Sequence, residues 1–161
     1  MPIPPEQLAT LIDRHWVPLV AWVGRRSGNA EDIVQQAFLQ LATVKVSPDS
    51  PAAWLYSVAR NRAINEGRSQ QRRNHRQQSV ARSENFHDNV ARSAEAAELI
   101  EKLNQLPDQQ REIVVAKTWG GFNFQEIAEL VGSSKATVWR QYESAISTLR
   151  LAYGVKCETK K

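Results

Sequence analysis

Apolar residues recur every three or four positions through most of this chain, which is the spacing of amphipathic helices. The first such pattern covers residues 6–26 and contains Pro18, which we expect to kink or interrupt the helix. The second pattern covers residues 30–42, and Asn29 is its predicted N-terminal cap. Residues 43–50 contain Pro, Ser and Asp, so they are predicted to form a loop.

The third helical pattern begins at Ser50 and Pro51, which suit an N-cap and a first helical position. We expect this helix to fray near Arg72 and Arg73. Its polar face carries five arginines between positions 60 and 73 against one acid, Glu66, although a solvated face normally mixes both signs. This favours contact with phosphates and base edges, and a basic helix without such a role is the alternative. The predicted buried stripe consists of Trp54, Leu55, Val58, Ala59 and Ala63.

These three helices form one predicted body, in which Trp16, Phe38 and Trp54 share a small core. Residues 74–93 have few apolar positions, so they are predicted to form a polar, flexible linker. Because such a linker lacks the apolar content to pack, we expect the two halves of the free protein to be only loosely coupled.

The second half of the chain regains helical patterns in residues 94–106, 108–119 and 124–131. The next pattern starts after a cap at Ser133 or Ser134 and continues to about residue 152. These four patterns form the second predicted body.

A helix-turn-helix is indicated by the spacing of three residues, Ala128, Gly132 and Val138. A small residue lets the two helices cross, Gly can adopt the left-handed turn conformation, and Val fills the angle between the helices. Asn123 and Glu126 form a capping-box pair at the start of the first helix. A purely structural pair of helices remains the alternative for this segment.

No strand-like alternation and no internal repeat occur, so the predicted fold class is all-α with two small helical domains. The predicted organisation is a first domain over residues 1–73, a linker over residues 74–93 and a second domain over residues 94–161.

Composition and cysteine usage narrow the function classes. The chain has 161 residues, of which 42% are hydrophobic, and no apolar run is long enough to span a bilayer. We therefore expect no membrane insertion, and the absence of a secretory signal pattern favours the cytoplasm. Cys157 is the only cysteine and the three histidines lack ligand spacing, so no disulfide, metal or cofactor is expected. An enzyme is disfavoured because no nucleophile-base pair and no Gly-rich phosphate loop is visible.

The charge distribution is more informative than the net charge of +4. Residues 60–82 contain seven arginines and one acid, a net charge of +6. Residues 84–112 contain seven acids and three basic residues, a net charge of −4. A basic segment followed by an acidic one is typical of a chain in which one part binds a polyanion.

Three segments carry a family resemblance that covers nearly the whole chain. They are N-A-E-D-I-V-Q-Q-A-F-L-Q-L at residues 29–41, A-W-L-Y-S-V-A-R-N-R-A-I-N at residues 53–65, and L-P-D-Q-Q-R-E-I-V-V at residues 106–115. In this order and before a helix-turn-helix, they resemble the bacterial RNA polymerase sigma factors of the extracytoplasmic-function (ECF) type. The resemblance implies a specificity subunit that recruits core polymerase and opens promoter DNA. A stand-alone helix-turn-helix regulator that binds duplex DNA as a dimer is the alternative.

The resemblance also implies partners and contact residues. Partners are core RNA polymerase, through the clamp and flap of its large subunits, and promoter DNA, with an anti-sigma factor as a further candidate. Asn61 matches the position that lines a pocket for a flipped base, and loop 43–50 would wall this pocket. The implied clamp contacts are Asp32, Gln35, Gln36 and Leu39. The implied minus-ten contacts are Ser57, Arg60, Asn61, Arg62, Asn65, Arg68, Arg72 and Arg73. The implied minus-thirty-five contacts are Ser134, Lys135, Thr137, Trp139, Arg140 and Gln141.

The sequence departs from the family pattern in the presumed recognition helix. Trp139 and Gln141 stand where relatives often carry basic or small polar residues, which leaves Lys135 and Arg140 as its basic groups. This implies weak or unusual reading of the minus-thirty-five element. Gln36 is a milder departure, because an acid is common at that position of the clamp motif.

Overall fold

The computed structural model describes residues 1–24, 29–76 and 94–154, with side chains described up to residue 73 in the second range. These ranges contain α-helices and no β-strand, which confirms the all-α fold class. The helices are α1 (Pro5–Val23), α2 (Ala30–Thr43), α3 (Pro51–Arg76), α4 (Ala94–Asn104), α5 (Asp108–Thr118), α6 (Phe124–Val131) and α7 (Lys135–Ala152).

Helices α1, α2 and α3 pack against one another and form the first body. Trp16 and Phe38 stack with ring centroids 6.1 Å apart, as the predicted aromatic core requires, whereas Trp54 is only half-buried. The largest fully buried side chain is Trp22, whose indole Nε1 donates to the backbone oxygen of Tyr56 over 3.0 Å. The pattern of apolar residues did not identify Trp22 or Tyr56 as the centre of this core.

Helix α1 continues through Pro18, so the predicted interruption there is wrong. A proline inside a helix removes one backbone hydrogen bond and costs ~3 kcal/mol or more. Pro18 and the following residues up to Val23 are buried in the described structure, and their burial offsets that cost. The helix ends at Gly24, whose φ of 62° lies in the left-handed region.

Two helix ends differ from the sequence-based expectation. Helix α3 does not fray at Arg72 but continues to Arg76, three residues into the segment predicted as linker. The remainder of that segment, residues 77–93, lies outside the described residues. Asn29 occupies the N-cap position of α2, but its side chain makes no capping hydrogen bond to the described first turn. Ser50 does cap α3, because its Oγ accepts from the Ala53 backbone N–H over 3.3 Å.

The N-terminal residues are tied to the loop between α2 and α3. The backbone N–H of Ser47 donates to the carbonyl oxygen of Met1 over 2.9 Å, and Ile3 is buried. We call residues 1–4 the N-terminal strap. The apolar periodicity begins after this strap, at residue 6, and gives no indication of the contact.

Helices α6 and α7 confirm the predicted helix-turn-helix in its local details. Asn123 and Glu126 form a capping box, with N···O distances of 2.8 and 2.9 Å. Gly132 adopts the left-handed conformation, with φ 71° and ψ 38°. Ala128 and Val138 are both buried between the helices.

The two bodies contact each other, which differs from the loose coupling that we expected. Helix α1 packs against both α4 and α5, and Tyr56 of α3 meets Phe122 edge to face at 5.6 Å. The linker composition could not reveal this, because the contact surfaces lie on helices that are distant in sequence. None of the helices in the described ranges is long and apolar enough to cross a membrane.

Candidate nucleic-acid interface

The polar face of α3 presents a continuous stripe to solvent. Asn61, Asn65, Arg68 and Arg72 are exposed, and their spacing of three or four residues places them on one side of the helix. Residues 61 and 72 are about 16 Å apart along the axis at 1.5 Å per residue. Arg73 is also exposed, and its guanidinium donates to the Ser69 hydroxyl over 3.3 Å. The stripe combines two amides, which suit base edges, with guanidinium groups, which suit phosphates.

Two arginines assigned to this face point elsewhere. Arg60 is half-buried, and its Nε donates to Glu112 Oε2 of α5 over 3.0 Å. Arg62 donates from Nη2 to Gln40 Oε1 of α2 over 2.7 Å, and its buried Nε has no hydrogen-bond partner among the described residues. In this structure Arg62 joins α3 to α2 and lies off the exposed stripe, because it follows Asn61 by only about 100° of helix rotation.

A cleft of about 410 Å³ lies between the start of the α3 stripe and the helix-turn-helix. Its α3 wall includes the exposed amide of Asn61, and the opposite wall carries the carboxylates of Glu126 and Glu129. Basic and amide groups therefore face acidic groups across open space. The lining residues are Ser57, Arg60, Asn61, Phe122, Glu126, Glu129 and Leu130.

A buried aromatic and histidine cluster lies behind this cleft, and sequence reasoning did not find it. His15 is buried with Nδ1 3.4 Å from the Tyr56 hydroxyl, and the Tyr56 ring also meets Trp22 edge to face at 5.4 Å. Burial lowers the pKa of His15 below its ordinary 6.5, and the nearby Arg14 lowers it further. Burial raises the pKa of the Tyr56 hydroxyl. The position of Tyr56 between Trp22 and Phe122 makes it the point where the two bodies meet.

A second exposed face lies on α2 and is separate from the cleft. The four residues that the family resemblance assigns to the polymerase clamp are all exposed. They lie opposite the buried side of α2, which includes Val34 and Phe38. The exposed fraction of Leu39 is 52%, which is large for a leucine. This face of α2 is therefore open to solvent in the described structure. The four residues are Asp32, Gln35, Gln36 and Leu39.

Helix α7 exposes fewer of its assigned residues. Ser134 and Thr137 are engaged in the helix cap, with Ser134 Oγ accepting from the Thr137 N–H over 3.2 Å and donating to its hydroxyl over 2.8 Å. Gln141 is half-buried, and its Oε1 accepts from Gln110 Nε2 of α5 over 3.0 Å. The assigned residues that are exposed are Ser134, Lys135, Trp139 and Arg140.

The described residues thus combine an exposed stripe of amide and guanidinium groups on α3 with a helix-turn-helix formed by α6 and α7. Comparison with known proteins identifies the family. The family model for Sigma-70 region 2 matches residues 11–73, which cover most of α1, all of α2 and most of α3. The family model for Sigma-70 region 4 matches residues 96–149, from α4 into α7.

Curated relatives carry the same family name. The chain is 30% identical to the ECF RNA polymerase sigma factor SigL of Mycobacterium tuberculosis, over 89% of this chain and 87% of that protein. It is 28% identical to SigK of Mycobacterium ulcerans, over 82% of this chain and 76% of that protein. The chain therefore belongs to the ECF family of RNA polymerase sigma factors.

Solved structures agree on the fold. The sigma factor RpoE from Bartonella quintana, in complex with the anti-sigma factor NepR, matches with a TM-score of 0.66 and 21% identity. The match covers 94% of this chain and 96% of that one. Sigma factors are transcription initiation factors and not enzymes. Among the described residues, no group of three or more His, Cys, Asp and Glu side chains is placed to hold a metal ion.

Proposed function

We propose that this protein binds core RNA polymerase, directs it to promoters and starts their transcription by opening the minus-ten element. The observation that carries this proposal is the exposed α3 stripe, in which two amides are followed by two guanidinium groups along one helix face of a sigma factor. The two bodies would act as the minus-ten and minus-thirty-five readers, joined by residues 74–93. The protein would work where polymerase works, in the cytoplasm.

At the minus-ten element, Asn61 would hold an unstacked base through its amide. Extruding a base costs a few kcal/mol, and hydrogen bonds to its edge offset that cost. Arg68, Arg72 and Arg73 would bind phosphates, which fixes the position of the strand without reading its sequence. The loop between α2 and α3, with the N-terminal strap behind it, would border the base pocket and influence which base is accepted.

At the minus-thirty-five element, the exposed N-terminal half of α7 would enter the major groove. Lys135 and Arg140 are available for phosphates or guanine edges, and Trp139 offers an apolar contact such as a thymine methyl group. Because Gln141 is engaged with α5, this helix offers few groups that can read bases. We therefore expect α7 to position the polymerase more than it selects the sequence.

Core polymerase would bind the exposed α2 face through its clamp and the second body through its flap. An anti-sigma factor is a further candidate partner, since the similar RpoE was solved in complex with one.

The test is reconstitution of the purified chain with core polymerase, followed by gel filtration and run-off transcription on genomic fragments. Co-elution with new transcripts is expected. A stand-alone regulator would instead remain separate from core polymerase and bind duplex DNA as a dimer.

A further inference from the structure

We propose that the N-terminal strap determines promoter specificity, because the buried side chain of Ile3 positions the loop that borders the minus-ten base pocket. This inference rests on the proposed function, since it concerns the same pocket beside Asn61. It extends that function to residues outside the segment that the family model for region 2 matches, which begins at residue 11.

The strap is stiff because of its sequence. Within M-P-I-P-P, each residue of the strap either is a proline or precedes one. Proline fixes its own φ at about −65° and restricts the residue before it to extended backbone. Pro4 has φ −65° and ψ 144°, and α1 begins directly after it at Pro5. The strap therefore continues α1 as a rigid segment.

Ile3 anchors this segment in the core. It is 7% exposed and belongs to the cluster of buried apolar residues, whereas its neighbours Pro2 and Pro4 are exposed. The hydrophobic effect thus holds the strap mainly through this one side chain. Two residues of extended backbone span about 6 Å, so the position of Ile3 determines where the carbonyl oxygen of Met1 lies.

The carbonyl oxygen of Met1 reaches the middle of the loop between α2 and α3. It accepts from the Ser47 backbone N–H over 2.9 Å. The two ends of the loop are fixed by the helices, since Thr43 Oγ1 donates to backbone carbonyls of α2 over 3.0 and 3.2 Å and Ser50 caps α3. The strap supports the part of the loop between these fixed ends.

The side chain next to this hydrogen bond is open to solvent. Val46 is 72% exposed and directly precedes Ser47, whereas Val44, nearer to α2, is half-buried. A shift of Ser47 would also move Val46, because the planar peptide holds neighbouring Cα atoms about 3.8 Å apart. The strap would therefore influence base choice through the loop and not by touching DNA, which makes Ile3 a positioning residue.

The experiment compares four substitutions in the full chain. Ile3→Ala removes the anchor, whereas Ile3→Val keeps most of it and should behave as the wild type. Ile33→Ala is the matched control, because Ile33 is 6% exposed and loses the same side-chain atoms at the start of α2. Ile33 lies about 15 Å along the helix from the loop. Val46→Ala changes the loop itself, at a side chain that contributes little to the core.

The first measurement uses the free chain. Hydrogen exchange of the Ser47 backbone N–H, followed by NMR, reports whether the strap holds the loop, because a hydrogen-bonded amide exchanges only when it opens. We expect Ser47 to be protected in the wild type, in Ile3→Val and in Ile33→Ala. We expect Ile3→Ala to lose this protection.

The second measurement is transcription by the reconstituted holoenzyme from a randomised minus-ten library. Ile3→Ala and Val46→Ala are expected to change the preference at the same base position. The expected change is about 2-fold to 30-fold, the range for residues that act on a site through others. The two effects should not add in the double variant, because both act through one loop. Ile33→Ala should keep the wild-type order of preference.

The proposal is overturned if Ser47 exchanges freely in the wild type or stays protected in Ile3→Ala. It is also overturned if Ile3→Ala keeps the wild-type base preference, or if Ile33→Ala changes that preference equally, since the effect would then follow stability. A chain that starts at Pro2 lacks only the Met1 contact, and it decides the matter by the same shift in preference if Ile3→Ala fails to fold. Failure of the proposed function would look different, because no chain would co-elute with core polymerase while Ser47 stayed protected.

Discussion

The two helices that we propose as DNA contacts, α3 and α7, use their polar residues in opposite ways. Helix α3 leaves its stripe of Asn61, Asn65, Arg68 and Arg72 exposed, whereas α7 engages Ser134 in its cap and Gln141 against α5. The α3 stripe is therefore available for chemistry, and much of the polar sequence of α7 serves the stability of its own body. Residue type alone does not distinguish these two uses of an amide or a hydroxyl.

The cause is the number of neighbours around each helix. α7 packs against α4, α5 and α6 through one side that includes Val138, Gln141 and Ala145. α3 packs on α1 and α2 in its first half, and its described side chains from 68 to 73 are exposed. A helix that extends beyond its body can present long cationic side chains to a strand without first removing them from other contacts.

The largest expected effect is loss of binding to core polymerase. Without that binding, the contributions of α3 and α7 at a promoter cannot be compared. Asp32→Arg combined with Gln35→Glu should abolish binding to core polymerase and leave the fold intact, because both side chains are exposed on α2. The measurement is a pull-down with core polymerase, supported by circular dichroism. Glu6→Arg with Gln7→Glu, on the exposed start of α1, makes the same change in net charge and should bind normally. Unchanged affinity in the first variant would remove α2 from the proposed interface.

The next largest effect is expected from the cationic side chains of α3 and α7. We expect three single substitutions on α3 to weaken binding to all promoters alike: Arg68→Ala, Arg72→Ala and Arg73→Ala. Each should also reduce the slope of log affinity against log salt concentration by about one, because each removes one phosphate contact. Lys135→Ala on α7 should have the same character. The measurement is holoenzyme binding to several promoters at a series of salt concentrations. A change in the preferred bases on substituting an arginine would contradict the positioning role.

A smaller and more selective effect is expected at Asn61. Asn61→Ala should alter the preference among minus-ten variants by about 1–3 kcal/mol, because it removes a hydrogen bond to a base edge. Its exposure means that stability should change little. The measurement is transcription from a randomised minus-ten library, with Gln71→Ala as an exposed control on the same helix. If transcription from all promoters falls equally, Asn61 contacts the DNA backbone and not a base.

The smallest effect is expected on α7. Gln141→Ala should lower the free energy of unfolding by about 1 kcal/mol, because Gln110 loses a hydrogen-bond partner. Promoter selectivity should not change. Urea unfolding and a randomised minus-thirty-five library measure the two quantities. A variant with normal stability and altered base preference would show that Gln141 leaves α5 and reads DNA in the complex, and the contrast between the two helices would then disappear.

The sequence was sufficient wherever structure depends on neighbours along the chain. The capping box of Asn123 and Glu126, the turn at Gly132 and the cap at Ser50 all involve residues that are close in sequence. Apolar periodicity placed the helices, with errors of a few residues at their ends, because each helix buries one face.

The sequence was not sufficient for contacts between residues that are far apart. Arg60 and Glu112 are 52 positions apart, and Arg111 lies 88 positions from Val23. In the linear chain Arg60 and Arg68 look alike, and only the fold shows that one is neutralised and the other is exposed. The role of Gln141 was hidden for the same reason, since its partner Gln110 is on another helix.

The N-terminal strap has a practical consequence for anyone who prepares this protein. The carbonyl oxygen of Met1 holds the Ser47 N–H, and Ile3 is buried beside it, so the first residues support the loop between α2 and α3. An affinity tag fused ahead of Met1 would crowd that loop while leaving all the helices folded. We expect the tagged protein to have a normal helix content but an altered promoter preference. Assays of promoter specificity should therefore use a protein without a tag fused to Met1.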